Sequence, residues 1–166
     1  LWSQKLLRHI RKIIMIKVNV VVNTIPWKKK IKNPNTYFNK KLKKFSKIIP
    51  IFKRKNIIFT VLLTNSLEIK NLNKKFRNKN MPTDVLSFPY FSYKILKKIK
   101  DKNLYIGDIA VSYEIIKFRS KNNNFFLEFD KVWAHGFLHL LGYDHIKNKD
   151  YLKMIKIEKK IINLIN

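Results

Sequence analysis

The most informative stretch of the chain is AHGFLHLLGYDH, residues 134–145. It holds three of the four histidines: His135, His139 and His145. His135 and His139 are four residues apart, so on a helix they lie on one face, one turn from each other. Gly142 follows, and glycine readily adopts the left-handed conformation in which a helix ends and the chain turns back. The stretch therefore predicts a helix that ends at Gly142 and three imidazoles that reach one ion.

The spacing of these histidines is typical of zinc. Histidine at offsets 0, 4 and 10, with glycine at 7, is the pattern of the HExxHxxGxxH zinc signature. Three neutral imidazoles leave a fourth tetrahedral position for water, as in a catalytic zinc site. A zinc protease has a glutamate directly after the first histidine as general base, and here that residue is Gly136. We therefore predict one Zn²⁺ per chain and disfavour peptidase activity, with Asp144 as a carboxylate that orients a ligand.

The rest of the chain alternates between strand and helix patterns. β-branched and continuous apolar runs predict strands at residues 15–22, 56–64, 85–88 and 105–111. Apolar residues spaced three and four apart predict helices at residues 35–49, 66–76, 112–120, 127–141 and 150–164. The pattern predicts an α/β (α+β) domain in which a mixed four-stranded sheet packs with about five helices around a zincin-like metal site.

Local signals add detail to these elements. We predict a basic loop over residues 28–34, and we expect Ser66 and Ser112 to cap the helices that follow them. The apolar faces of two helices are expected to include Leu67, Phe76 and Leu152.

Positive charge dominates the composition. The formal net charge is +27 on 166 residues, and no acidic residue precedes Glu68. Such a field attracts polyanions, either nucleic acid or anionic membrane surfaces, although abundant Lys, Asn and Ile also fit an AT-rich coding bias. No apolar run approaches the roughly 18–20 residues of a membrane span, and no cysteine is available for a disulfide or a thiolate ligand. The candidate RNA contacts are seven lysines: Lys28, Lys29, Lys30, Lys40, Lys41, Lys43 and Lys44.

Residues 1–14 are basic and amphipathic, as in a transit peptide. Because a strand pattern begins at Met15, we predict that translation starts there and that residues 1–14 are a non-native or dispensable extension. Residues 15–166 are then a single domain, which we expect in the cytoplasm.

Three stretches together resemble one known family. They are the histidine run from His135, LNKKFRNKNMPTDVLSFP at residues 72–89, and IGDIAVS at residues 106–112. In order from Met15 to about Glu158, the chain resembles the YbeY family, the bacterial endoribonucleases of ribosomal RNA maturation.

The resemblance implies functional residues and partners. It implies His135, His139 and His145 as the zinc ligands and Arg77, in the Asn-x-x-x-Arg stretch from Asn73, as the essential arginine. It implies single-stranded RNA as the substrate, notably at the 3′ end of small-subunit rRNA. The implied partners are the small ribosomal subunit and assembly factors.

The chemistry of these side chains agrees with an endoribonuclease, a hydrolase of RNA. A fork-shaped guanidinium such as that of Arg77 suits the phosphate oxygens that gain charge during attack on a phosphodiester. We expect four further polar residues in the cleft or behind its ligands: Asp84, Ser87, Asp108 and Asp144. Two alternatives stay open: a non-catalytic ribosome assembly factor with a structural zinc, and a zinc peptidase or amidase.

Overall fold

The computed structural model describes residues 16–45, 48–49, 55–144 and 148–166. Within them, four strands form one sheet: β1 (Ile16–Val22), β2 (Asn56–Thr64), β3 (Val85–Pro89) and β4 (Asn103–Ser112). The strand order is β1-β2-β4-β3, with β1, β2 and β4 parallel and β3 antiparallel to β4. The predicted mixed four-stranded sheet is therefore confirmed. The proposed extension, residues 1–14, lies outside the described residues.

Seven helices connect and cover these strands in the described part of the chain. They are α1 (Ile25–Lys30), α2 (Pro34–Phe45), α3 (Ser66–Arg77), α4 (Tyr93–Lys98), α5 (Tyr113–Arg119), α6 (Phe125–Leu140) and α7 (Asn148–Ile165). The prediction of about five helices missed α1 and α4, which have six residues each. No helix among the described residues is long and apolar enough to cross a membrane.

Helix α1 corrects the prediction of a basic loop at residues 28–34. Proline in the first turn starts this helix, because its missing N–H has no partner there in any case. Trp27 is fully buried, and its Nε1 donates to the carbonyl of Thr64 at 2.9 Å. Lys28, Lys29 and Lys30 therefore lie on the last turn of a helix that Trp27 anchors.

Two of the predicted caps are also corrected. The N-cap of α3 is Asn65, whose side chain accepts from the backbone N–H of Glu68 at 2.9 Å, and not Ser66. Ser112 lies at the N-cap of α5 but makes no capping bond. Its hydroxyl instead pairs with the Ser66 hydroxyl at 2.8 Å, so the two serines link the starts of α3 and α5.

The sheet separates two apolar clusters. Along β2, Val61 belongs to the large cluster and the next residue, Leu62, to the small one, as the alternation of a strand requires. The large cluster holds the buried faces of α2, α6 and α7, whereas α3 contributes Ile69 to the small one. On α3, the side chains of Leu67 and Phe76 are 67% and 58% exposed, respectively, and on α7 that of Leu152 is also exposed. Phe76 nevertheless packs edge to face on the ring of Phe88 in the small cluster, as its predicted place on an apolar face requires, whereas Leu67 and Leu152 are largely exposed.

A buried polar network joins α2, α6 and α7. The carboxylate of Asp130 is fully buried and accepts from Tyr37 Oη at 2.7 Å, Lys41 Nζ at 2.5 Å and Trp133 Nε1 at 2.9 Å. Lys41 Nζ also donates to the carbonyl of Ile165 at 3.3 Å. Burial, together with the Asp130 charge, raises the pKa of the Tyr37 hydroxyl. Lys41, predicted to contact RNA, is therefore used inside the fold, where its side chain is only 14% exposed.

Candidate active site

A cleft of about 700 Å³ opens between β3, α4 and the C-terminal end of α6. The structure brings six of the predicted site residues to its walls: Arg77, Asp84, Ser87, His135, His139 and Asp144. Residue 145, the third histidine of the predicted triad, lies outside the described residues.

The two histidines on α6 face each other across a short gap. His135 Nε2 and His139 Nε2 lie 3.1 Å apart, and the two rings meet edge to face. His139 Nδ1 is 2.9 Å from the carbonyl of Tyr143, which can only accept, so Nδ1 carries the proton. His135 Nδ1 is 3.4 Å from Glu158 Oε2, which is also an acceptor when it is ionised. Both contacts orient the rings so that the Nε2 lone pairs point toward the same space.

This donor arrangement fits part of a zinc site. Two imidazole nitrogens, each about 2.05 Å from one tetrahedral zinc, lie roughly 3.3 Å from each other, close to the 3.1 Å between these Nε2 atoms. Backbone carbonyl and carboxylate acceptors on the remote ring nitrogens are the usual support of zinc-binding histidines. Among the described residues, no group of three histidine, cysteine or acidic side chains is close enough to hold a metal. His135 and His139 are therefore a pair of candidate ligands.

Close contact between α6 and β3 explains the glycine after His135. A Cβ on Gly136 would lie 2.9 Å from Val85 Cγ2 and 3.0 Å from Ser87 Oγ. Ser87 Oγ donates to the Gly136 carbonyl at 3.1 Å, which ties the helix to the strand at the level of the histidines. Even the first side-chain atom of a glutamate would crowd β3 here, which disfavours the general base of a zinc protease at this position.

The turn after α6 is equally tight. Gly142 has φ +80°, the left-handed conformation that the sequence predicted, and a Cβ there would lie 2.6 Å from Tyr93 Cβ. This turn brings the Tyr143 carbonyl back to His139. The same turn places Tyr143 and Asp144 on the cleft wall.

Arg77 and Asp84 occupy the side of the cleft near α3. Arg77 is the last residue of α3, and its Nη2 donates to the Ser87 carbonyl at 3.1 Å. A guanidinium has five N–H donors, so the others remain to meet an anion in the cleft. Asp84 accepts from Val85 N at 2.8 Å and pairs with Arg119, which makes it a structural anchor at the start of β3.

Asp108 does not line this cleft, contrary to the prediction. It follows Gly107 in β4, and the alternation of the strand turns Ile109 toward α6 and Asp108 to the opposite face. There Asp108 is exposed and accepts from Tyr105 Oη. Burial raises the pKa of the Tyr105 hydroxyl, and the Asp108 hydrogen bond adds to the increase.

None of the seven candidate lysines is among the described residues that line the cleft. Lys30 Nζ is 4.7 Å from the centre of the Phe125 ring at the start of α6, and His139 follows 14 residues later, about 21 Å along the helix. Among the described lining residues, Arg77 is the one lysine or arginine.

Glu158 is a site residue that the sequence analysis missed. It lies on α7, 23 residues after the histidine that it contacts. Its one signal in the sequence was a carboxylate among many lysines in a basic helix. Tyr93, which packs against Gly142 from α4, was missed for the same reason, because the contact joins distant segments.

Comparison with known proteins identifies the family. The sequence profile described as Endoribonuclease YbeY matches residues 22–166. A Pelagibacter ubique protein named Endoribonuclease YbeY is 52% identical over 155 residues, which cover 91% of this chain and 97% of the relative. The chain belongs to the endoribonuclease YbeY family. A protein of Buchnera aphidicola subspecies Acyrthosiphon pisum, also named Endoribonuclease YbeY, is 37% identical over 155 residues, which cover 89% of this chain and 92% of the relative.

A solved structure also matches. The solution structure of a Thermotoga maritima protein has a TM-score of 0.58 and 27% identity, and covers 91% of this chain and 89% of its own. The YbeY family and the enzyme class predicted from the sequence, a hydrolase that acts as an endoribonuclease, are confirmed.

Proposed function

We propose that this YbeY family member is a zinc-dependent endoribonuclease that cuts single-stranded RNA during maturation of ribosomal RNA, at the 3′ end of the small-subunit rRNA. The observation that carries the proposal is the meeting of two oriented Nε2 atoms and one guanidinium in a single cleft. The small ribosomal subunit and its assembly factors are the proposed partners, in the cytoplasm.

The proposed metal ligands are His135, His139 and His145. A zinc ion held there supplies Lewis acidity and lowers the pKa of water toward about 7. Tyr143 holds the proton of His139 on Nδ1, and Glu158 does the same for His135, so both rings present Nε2 to the metal. Such a site needs no carboxylate base next to the ligands, in agreement with Gly136.

Arg77 is the proposed phosphate-binding residue. During attack on a phosphodiester, negative charge grows on the non-bridging oxygens, and preorganised donors stabilise it. The bond from Arg77 Nη2 to the Ser87 carbonyl fixes the guanidinium at the cleft wall. Because Ser87 Oγ is bonded to Gly136, the backbone that positions Arg77 is also the backbone that positions the helix of the histidines.

Cleavage of a labelled precursor rRNA fragment tests this function. We expect cleavage by the zinc-loaded protein, loss of cleavage in chelator and no cleavage of casein. Arg77→Ala should lower the rate by about 10²–10³-fold, the usual cost of losing a transition-state donor. Lys74→Ala, an exposed change on the same helix, should leave the rate unchanged.

A His135→Ala preparation controls for contaminating ribonuclease and should be inactive. Metal-dependent casein cleavage would favour a peptidase. Absence of metal-dependent RNA cleavage would refute the enzymatic proposal and leave the assembly factor with a structural zinc.

A further inference from the structure

A second cavity, of about 420 Å³, lies between α6 and α7 and shares His135 with the cleft. We call it the α6–α7 groove and define it by Lys131, His135, Tyr151, Ile155, Lys159 and Ile162. Its volume is within the roughly 300–1,000 Å³ of ligand pockets. Because His135 lines both the cleft and the groove, a ligand that lies over His135 can extend from the cleft into the groove.

The groove combines an apolar floor with an exposed aromatic ring. Tyr151, Ile155 and Ile162 are spaced four and seven apart, so they form one stripe along α7. The neighbouring stripe of this helix, with Met154, Ile161 and Ile165, is buried in the hydrophobic core, and Ile162 lies between the two and also packs against the core. Tyr151 is 48% exposed, so its ring is available to a ligand.

Cations flank this apolar stripe. Lys131 on α6 and Lys159 on α7 are exposed and line the groove, and Asn163 adds an amide that can bond a base edge. Aromatic rings beside cations are the recurring means by which proteins hold single-stranded nucleic acid: bases stack on the rings while the cations meet the phosphates. Among the described residues that line the groove, the one carboxylate is that of Glu158, and it is engaged with His135.

The groove is also at a suitable distance from the histidines. Tyr151 precedes Glu158 by seven residues, which is about 10 Å along α7 from the contact between Glu158 and His135. A strand whose phosphate lies at His135 and His139 can therefore place a nearby base at Tyr151.

We infer that the α6–α7 groove is a base-binding subsite for the single-stranded RNA substrate, with Tyr151 as the stacking residue. The inference rests on the proposed function, because that function supplies the RNA. It assigns a role to a part of the molecule that the cleft, Arg77 and the histidines do not include.

Binding of a single-stranded RNA of about 12 nucleotides tests the subsite. This length is within the span of known single-strand binding sites. The Kd is measured with the zinc-loaded protein and a cleavage-resistant phosphorothioate RNA, so that binding is separated from cleavage. Tyr151→Ala should raise the Kd by about five- to 150-fold, the loss expected for one stacked base. Tyr151→Phe keeps the ring and should stay within about twofold of the wild type. Leu152→Ala is the matched control, because Leu152 is exposed beside Tyr151 and lies outside the groove.

An abasic scan gives a readout that misfolding cannot imitate. A single abasic nucleotide moved along the RNA should weaken binding to the wild type at one position, and that position should have no effect in Tyr151→Ala. Replacing Lys131 or Lys159 by glutamine should reduce the slope of log K against log salt by about 0.7 each.

The outcomes separate the subsite from the proposed function. Suppose that the protein cleaves RNA in a metal-dependent way, but Tyr151→Ala leaves the Kd unchanged and no abasic position weakens binding. This result overturns the subsite, leaves the proposed function standing and points to a protein partner for the groove. If Tyr151→Ala weakens RNA binding as expected but the wild type cleaves no RNA, the subsite is supported and the proposed endoribonuclease activity is refuted. Failure of the wild type to bind RNA refutes both.

Discussion

Gly136→Ala tests the contact between α6 and β3 on which the cleft depends. In an open helix position, alanine in place of glycine gains about 0.5–1 kcal/mol of stability. Here the new Cβ would lie 2.9 Å from Val85 Cγ2 and 3.1 Å from Ile109 Cγ2, and overpacking of this kind costs about 1–3 kcal/mol. We therefore expect a net loss of roughly 1–2 kcal/mol in the free energy of unfolding.

Urea unfolding followed by circular dichroism measures this loss as a lower midpoint at an unchanged m value. The expected fall in Tm is about 2–8 °C for a chain of this length. Val85→Ala removes the nearest obstructing atom, so Gly136→Ala should be less destabilising in the Val85→Ala background than in the wild type. A Gly136→Ala protein that is more stable than the wild type would refute the steric argument.

Three further predictions concern stability. Asp130→Ala should lower the free energy of unfolding by about 3–5 kcal/mol, because Lys41 and Tyr37 lose a buried acceptor. As the control in the same urea titration, Lys153→Ala, which breaks an exposed pair with Asp150, should cost less than about 1 kcal/mol. Equal losses in the two variants would contradict a stabilising role of the buried network. Folding raises the pKa of the Tyr37 hydroxyl, so above about pH 10 only the unfolded chain releases this proton. The free energy of unfolding should therefore fall by up to about 1.4 kcal/mol per pH unit above pH 10, and Tyr37→Phe should lack this part of the fall. Identical alkaline profiles for the wild type and Tyr37→Phe would show that Tyr37 is not responsible. Asn65→Ala should cost about 1 kcal/mol in thermal unfolding, because α3 loses the side chain that caps it, and an unchanged Tm would show that this bond does not stabilise the helix.

The sequence was most informative where one local pattern was sufficient. The continuous apolar run of residues 56–64 specified β2, and the glycine after the second histidine specified the end of α6 and its left-handed turn. Helix α1 was missed because three consecutive lysines resemble a loop, whereas the buried Trp27 shows that tertiary packing stabilises the helix.

Several residues of the cleft could not be predicted from the sequence, because contacts between distant segments bring them to the site. The contact of Glu158 with His135 and the packing of Tyr93 against Gly142 have no local signature. For Asp108, the sequence showed an unusual carboxylate in a strand but did not show which face of the sheet it occupies. The lysines were placed by charge alone, and Lys41 proved to be the partner of a buried carboxylate.

The zinc content of histidine variants tests the central claim most directly, since the account depends on two Nε2 atoms that converge on one metal. After dialysis against zinc and then zinc-free buffer, the wild type should retain about one zinc per chain. His135→Ala and His139→Ala should each retain far less, while His9→Ala, which removes a histidine outside the predicted triad, should match the wild type. Zinc retained at the wild-type level by both His135→Ala and His139→Ala would contradict the account.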